Sequence, residues 1–155
     1  MSSTNGTATE TQFSVFLVNK PQRLAQVCQQ LAAKKINILA LSMMDSTEHG
    51  VLRLVVTDPE KTRECFSELN VPTAETTVLT ATLPNRPGSM ADVVERLASA
   101  HITVTYAYCT TGAAGGKTLG IFRVSDLKKA EKVLAERKPK RKERSPVKRA
   151  GARRA

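Results

Sequence analysis

The 155-residue chain contains no tryptophan, two tyrosines, four phenylalanines and three cysteines. The cysteines, Cys28, Cys65 and Cys109, are odd in number, widely spaced and form no C-x-x-C pair. That excludes a disulfide framework and a cysteine zinc site. No run of 18 apolar residues occurs, so no membrane insertion is expected. Met1–Thr11 is polar and rich in Ser and Thr, without the charged start and apolar middle of a secretory signal, so a cytoplasmic location is expected. The only histidines, His49 and His101, have no Ser, Cys or carboxylate at a motif spacing. No nucleophile–base pair, paired carboxylates or metal signature stands out, so the expectation is a chain that is not an enzyme and needs no cofactor.

What is present is ordinary globular composition, 41% hydrophobic and 25% charged, enough for one domain or two small ones. The net charge of +10 is local. Arg137–Ala155 holds ten Lys/Arg against Glu143 alone, leaving 14 Lys/Arg against 13 Asp/Glu in Met1–Glu136. The basic segment has no periodicity and little to bury, so residues 137–155 read as a disordered tail. Its charge suits weak contact with nucleic acid or another polyanion, and no aromatic residue interleaves it to stack on bases.

A repeat dominates the rest. Asn19-Lys20-Pro21-Gln22-Arg23-Leu24-Ala25-Gln26-Val27 matches Asn85-Arg86-Pro87-Gly88-Ser89-Met90-Ala91-Asp92-Val93, 66 residues on. The match continues through Ile36-Asn37-Ile38 and Ile102-Thr103-Val104. Val56-Thr57-Asp58 then meets Val124-Ser125-Asp126 at an offset of 68, the two extra residues falling in the Gly-rich stretch Gly112–Gly116. That stretch, with Lys117-Thr118, resembles a phosphate loop but is one residue short and precedes a strand, so a mobile hairpin loop is expected.

Each unit reads as strand, helix, strand, strand, helix, strand. Phe13–Val18 and Val78–Leu83 are apolar, β-branched runs. Leu24, Val27, Cys28 and Leu31 form one helical face, repeated by Met90, Val93, Val94 and Leu97. Asp58-Pro59 and Asp126 open second helices. Ser89-Met90-Ala91-Asp92 reads as a capping box. The fold class is therefore α+β: two ferredoxin-like βαββαβ units packed together, each an antiparallel sheet with its helices on one face. The expected divisions are a disordered tail 1–11, a first unit 12–77, a second unit 78–136 and the basic tail 137–155. Strands such as Val15-Phe16-Leu17-Val18 are apolar on both faces, so the helix-free face should be covered by the second unit or by another chain, and a homodimer is expected. The Met/Leu cluster Leu39–Met44 and the pair Tyr106/Tyr108 read as core or interface. The second unit shows no fourth strand: either its sheet has three, or another segment fills the place.

A strand, then Asn-x-Pro-(Gly)-x-(Leu/Met)-Ala-x-Val, then a helix and Ile-Asn-Ile resembles the ACT domain. The resemblance covers Phe13–Glu136 and is to tandem ACT proteins of bacteria and the regulatory small subunit of acetolactate synthase. It implies a non-catalytic sensor that binds a small effector, an amino acid, where two ACT units meet near the turn after the first strand. It also allows a regulatory subunit partnered with a catalytic chain. The implied contacts are Asn19, Gln22, Arg23, Leu24, Asn37 and Ile38 in the first copy. In the second they are Asn85, Pro87, Gly88, Ser89, Met90, Thr103 and Val104. The first copy has Gln22 where the family has Gly, and the second has Thr103 where the family has Asn. Across the copies, Gly88 with Asn37 would complete one site, and Gln22 with Thr103 would form a degenerate one. Physical reasoning agrees: a helix N-terminus suits a carboxylate, a glycine lets the backbone come close, and an Asn amide both donates and accepts.

Overall fold

The structure is a computed structural model that describes residues 6–18, 20–44, 49–111 and 116–136. Its elements run β1 (Thr7–Val18), α1 (Pro21–Ala33), β2 (Ile38–Met44), β3 (His49–Val56), α2 (Pro59–Glu68), β4 (Thr73–Pro84), α3 (Ser89–Ser99), β5 (Val104–Thr111), β6 (Lys117–Val124) and α4 (Leu127–Ala135). The repeat therefore appears as two α+β units, as the periodicity predicts. The strands do not divide into two sheets. They form one six-stranded antiparallel sheet, ordered β2-β3-β1-β4-β6-β5.

The join lies between β1 and β4, which are the same length and pair from Thr7↔Ala81 to Val15↔Thr73. Each strand serves both units. Thr73–Thr77 is the fourth strand of the first unit and continues without a break into the first strand of the second. Thr7–Thr11 lies beside Thr77–Ala81 and fills the fourth-strand place that the second unit lacks. The expectation of a disordered segment reaching Thr11 fails here: Thr7–Thr11 is strand, and β-branched Thr at alternate positions favours that state.

All four helices lie on one face. Phe13, Val15, Leu17, Leu52, Leu54 and Val56 meet Val27, Leu31, Cys65 and Phe66 in one core. The Phe13 and Phe66 rings meet edge to face at 5.6 Å. Leu79, Ala81, Leu83, Phe122 and Val124 meet Val93, Leu97, Ala130 and Leu134 in the other. The helix ends repeat too. Ile36 N–H donates to Leu31 O and Ile102 N–H to Leu97 O, each 2.9 Å, with Lys35 and His101 in the left-handed region before them. His101 is thus part of a helix stop.

Part of the helix-free face is covered within the chain. A flat sheet would hold β3 and β5, four strands apart, roughly 19 Å from each other. Instead the Arg53 guanidinium of β3 sits 4.1 Å from the centre of the Tyr106 ring of β5. The sheet curls until its outer strands, β2 and β5, approach one another. Ala40, Val55, Val78 and Ile121 fill the concave side, with Tyr108 and Leu119 against them. Gln12, wholly buried, crosses this interior. Its amide donates to the Tyr106 hydroxyl at 2.7 Å and its carbonyl accepts from the Tyr108 hydroxyl at 2.8 Å. Burial pushes the Tyr108 phenol well above its ordinary range.

The Leu39–Met44 cluster divides: Ala40 is buried, while Leu41, Met43 and Met44 are nearly half exposed, as is Phe16. Val94 also lies open to solvent rather than on the buried stripe of α3. No helix among the described residues is long and apolar enough to cross a membrane. Gly112–Gly115 and the basic segment 137–155 lie outside the described residues.

Candidate functional site

The two copies of the repeated turn begin alike. Lys20 N–H donates to Val18 O at 2.6 Å and Arg86 N–H to Pro84 O at 2.9 Å. An i→i+3 bond follows in each: Arg23 N–H to Lys20 O at 3.1 Å, Ser89 N–H to Arg86 O at 3.3 Å. The conformations then diverge. Gly88 has φ 86° and ψ −14°, so Arg86-Pro87-Gly88-Ser89 is a type II turn with Pro and Gly in their favoured places. Gln22 carries a Cβ that disfavours the left-handed region. Here α1 already starts at Pro21, the counterpart of Pro87, two positions earlier than α3. The Gly/Gln difference thus goes with a turn that stands apart from the helix in one copy and is absorbed into it in the other.

In the second unit the separate turn leaves a cleft of about 160 Å³. Leu83, Pro84, Asn85 and Arg86 form one wall and Ser89 and Met90 of α3 another, with the buried Thr118 of β6 and, at the exposed rim, Cys109 of β5 completing it. The sheet fixes these groups: Leu83 pairs with Thr118 and Cys109 with Gly120. Asn85 N–H donates to Gly116 O at 2.9 Å, tying the turn to the β5–β6 connection. Arg96 anchors α3 from its other end by donating to the Val133 and Glu136 carbonyls at the end of α4.

The capping-box expectation is corrected. The N-cap of α3 is Gly88, which has no side chain to cap with, and Ser89 is the first helical residue. Asp58 and Asp126, by contrast, accept from Lys61 N–H at 3.1 Å and Lys129 N–H at 2.9 Å, closing α2 and α4. Ser89 is 7% exposed, and its Oγ is the one buried side-chain polar atom without a hydrogen-bond partner among the described residues. A hydroxyl left so is costly unless something fills the need. It stands beside the positive end of the α3 dipole and borders the cleft.

The expected contacts fall into three groups. Asn85, Ser89 and Met90 line the cleft, and Pro87 and Gly88 form the turn that shapes it. Asn37, Ile38, Thr103 and Val104 sit at the starts of β2 and β5, away from the lining. The exposed Asn37 is held by its backbone: its N–H donates to Thr57 Oγ1 at 3.1 Å and its carbonyl accepts from Thr57 N–H at 3.0 Å. Thr103 and Ser125 repeat that pair. Strand direction puts Asn37 at the end of the sheet where β4 and β5 finish. Gln22, Arg23 and Leu24 belong to α1, where Arg23 donates to Gln26 Oε1 at 3.3 Å. Asn19 lies outside the described residues. Cys109 and Thr118 were missed by the motif, since they come from strands that the turn pattern does not include. Tyr106 and Tyr108 are bound to Gln12 on the opposite face of the sheet.

A family model described as an ACT domain pair matches residues 8–144. No curated protein matches. Among solved structures, protein BT0572 from Bacteroides thetaiotaomicron is 29% identical with a TM-score of 0.76, covering 83% of this chain and 88% of that one. The ligand-free regulatory subunit of aspartate kinase from Thermus thermophilus is 14% identical with a TM-score of 0.63, covering 86% and 95%. The corresponding subunit from Thermus flavus is 16% identical with a TM-score of 0.56, covering 86% and 95%. These neighbours share the fold, and the family model spans most of the described repeat: the chain belongs to the ACT domain pair family.

Proposed function

We propose that this chain is a non-catalytic regulatory module that binds one small zwitterion, an amino acid, in the cleft beside the β4–α3 turn. The observation that carries this reading is Ser89: a buried hydroxyl with no protein partner among the described residues, at an uncapped helix start, on the wall of a cleft. The effector carboxylate accepts from Ser89 Oγ and the first-turn N–H groups of α3, with Arg86 at the rim. Asn37 shares that end of the sheet but stands away from the lining, so the site is built from the second unit alone, one per chain. The Gln22 turn is the degenerate counterpart, because absorbing Pro21-Gln22 into α1 closes the turn. Binding shifts the packing of the units by favouring one of two arrangements. A thermal-shift screen of the full chain against the twenty amino acids tests this. At least one should stabilise it, and Gly88→Asp should remove the effect; no response, or one unchanged in Gly88→Asp, would refute the reading.

A second reading makes the chain a regulatory subunit that docks on a catalytic chain. Phe16, Val18 and Met44 are exposed on the helix-free face, and Leu41 and Met43 on the other face of β2; the first three favour such contact. The neighbours named as aspartate kinase regulatory subunits add that enzyme class to acetolactate synthase, the candidate from the sequence resemblance. The same patch could pair two copies of this chain. Sedimentation of the pure chain distinguishes a homodimer, and co-purification of a stoichiometric catalytic chain distinguishes a subunit.

A further inference from the structure

The chemistry of the cleft wall restricts which effector it accepts; this inference rests on the reading above. Away from the turn, the lining is Leu83, Pro84, Met90 and Cys109, with the small hydroxyl of Thr118. Among the described residues no acidic one lines it. Asp92, in the first turn of α3, carries interactions of its own and does not border the cleft. A cationic side chain entering here would lose water and gain no counter-charge. An anionic one would compete with the α-carboxylate for the same donors, Arg86 and the α3 start. An apolar side chain would gain contact with Leu83, Met90 and Cys109. Size is limited as well: an apolar cavity of roughly 150 Å³ takes benzene, and this cleft of about 160 Å³ is comparable.

We propose that the cleft selects an α-amino acid with a branched aliphatic or thioether side chain, and that Cys109 is the residue that sets its size. Cys109 is exposed at the cleft rim in β5, and its thiol reports on occupancy. Cys65 is buried, its thiol pushed up by that burial, and serves as an internal control.

The test uses the full chain and titrates leucine, isoleucine, valine and methionine against lysine, arginine, aspartate and glutamate by calorimetry. The apolar group should bind at least tenfold more tightly than any charged one. Saturating leucine should slow iodoacetamide alkylation of Cys109, read peptide by peptide, without changing Cys65. Cys109→Phe should weaken leucine more than tenfold and alanine little, the range expected when a hydrophobic pocket gains or loses a few methylenes. Circular dichroism of ligand-free Cys109→Phe verifies folding; should it unfold, Cys109→Ala replaces it and should shift preference toward phenylalanine. Tighter binding of a charged amino acid overturns the selectivity and leaves the effector reading standing. Unchanged selectivity in the folded Cys109 variant overturns the role of Cys109. Failure of all amino acids to bind overturns both.

Discussion

Thr11 pairs with Thr77, its own counterpart 66 residues along the chain. A local twofold axis therefore passes between them, and β1 and β4 exchange their leading halves across it. Neither unit has its own complete sheet. Deleting residues 1–11 should destabilise both units together, because the first half of β1 holds the outer side of β4 in the second unit. Urea unfolding of the full chain should be one cooperative transition. Two separated transitions, or an unchanged midpoint after the deletion, would contradict the shared-strand account.

Gln12 ties the two units across the concave face. Removing the Tyr108 hydroxyl leaves the buried Gln12 carbonyl without that donor, so Tyr108→Phe should cost about 1–3 kcal/mol. The sign of its pH dependence follows from the raised phenol. The folded state keeps the proton while the unfolded tyrosine loses it near pH 10, so stability is present below that and falls as pH rises further. Denaturation curves between pH 8 and 11 should show this loss in the native chain, and a smaller loss in Tyr108→Phe.

Gly88 is the residue the type II turn needs. A Cβ there meets nothing within 4 Å, so the penalty for Gly88→Ala is backbone strain alone, about 1–2 kcal/mol. Gln22→Ala, at the exposed start of α1, should change stability by less than about 0.5 kcal/mol. Chemical denaturation of the pair measures the difference; equal effects would show that the two turns are equivalent after all.

Arg63 grips Glu75 with two nitrogens, at 2.6 and 2.9 Å, joining α2 to the start of β4. The Arg63 hydrogen bonds hold the Glu75 carboxyl below its ordinary value, and Lys61 does the same for Asp58. Both contributions are present above pH 4.5 and are lost as protonation sets in below it. Arg63→Gln should flatten the fall in melting temperature between pH 5 and 3. A slope identical to the native chain would show that the pair adds nothing to acid stability, as solvent-exposed pairs often do not.

Much of the fold could be read from periodicity. The stripes Leu24/Val27/Cys28/Leu31 and Met90/Val93/Leu97 place α1 and α3, and Asp58 and Asp126 mark two helix starts. The shared strands could not, because polar Thr7–Thr11 has no apolar face to announce it. The offset carried the signal, since it sets Thr7 against Thr73 and Thr11 against Thr77. The curl depends on Gln12 meeting two tyrosines more than ninety residues away, which no local pattern encodes. At the site, the Asn-x-Pro-Gly turn was legible, while Cys109 and Thr118 reach it only through strand pairing. The difference between the copies was legible as Gly against Gln; that it goes with a two-residue shift in a helix start needed the backbone.

The central claim is that the Gly88–Ser89 turn holds a zwitterion. Calorimetric titration of the full chain beside Gly88→Asp, with the amino acid that gives the largest thermal shift, tests it most directly. One site per chain is predicted, with native stability raised by about 2.7 kcal/mol at a hundredfold excess over the dissociation constant and no measurable binding in Gly88→Asp. Binding that survives Gly88→Asp but disappears in Gln22→Asp would contradict it.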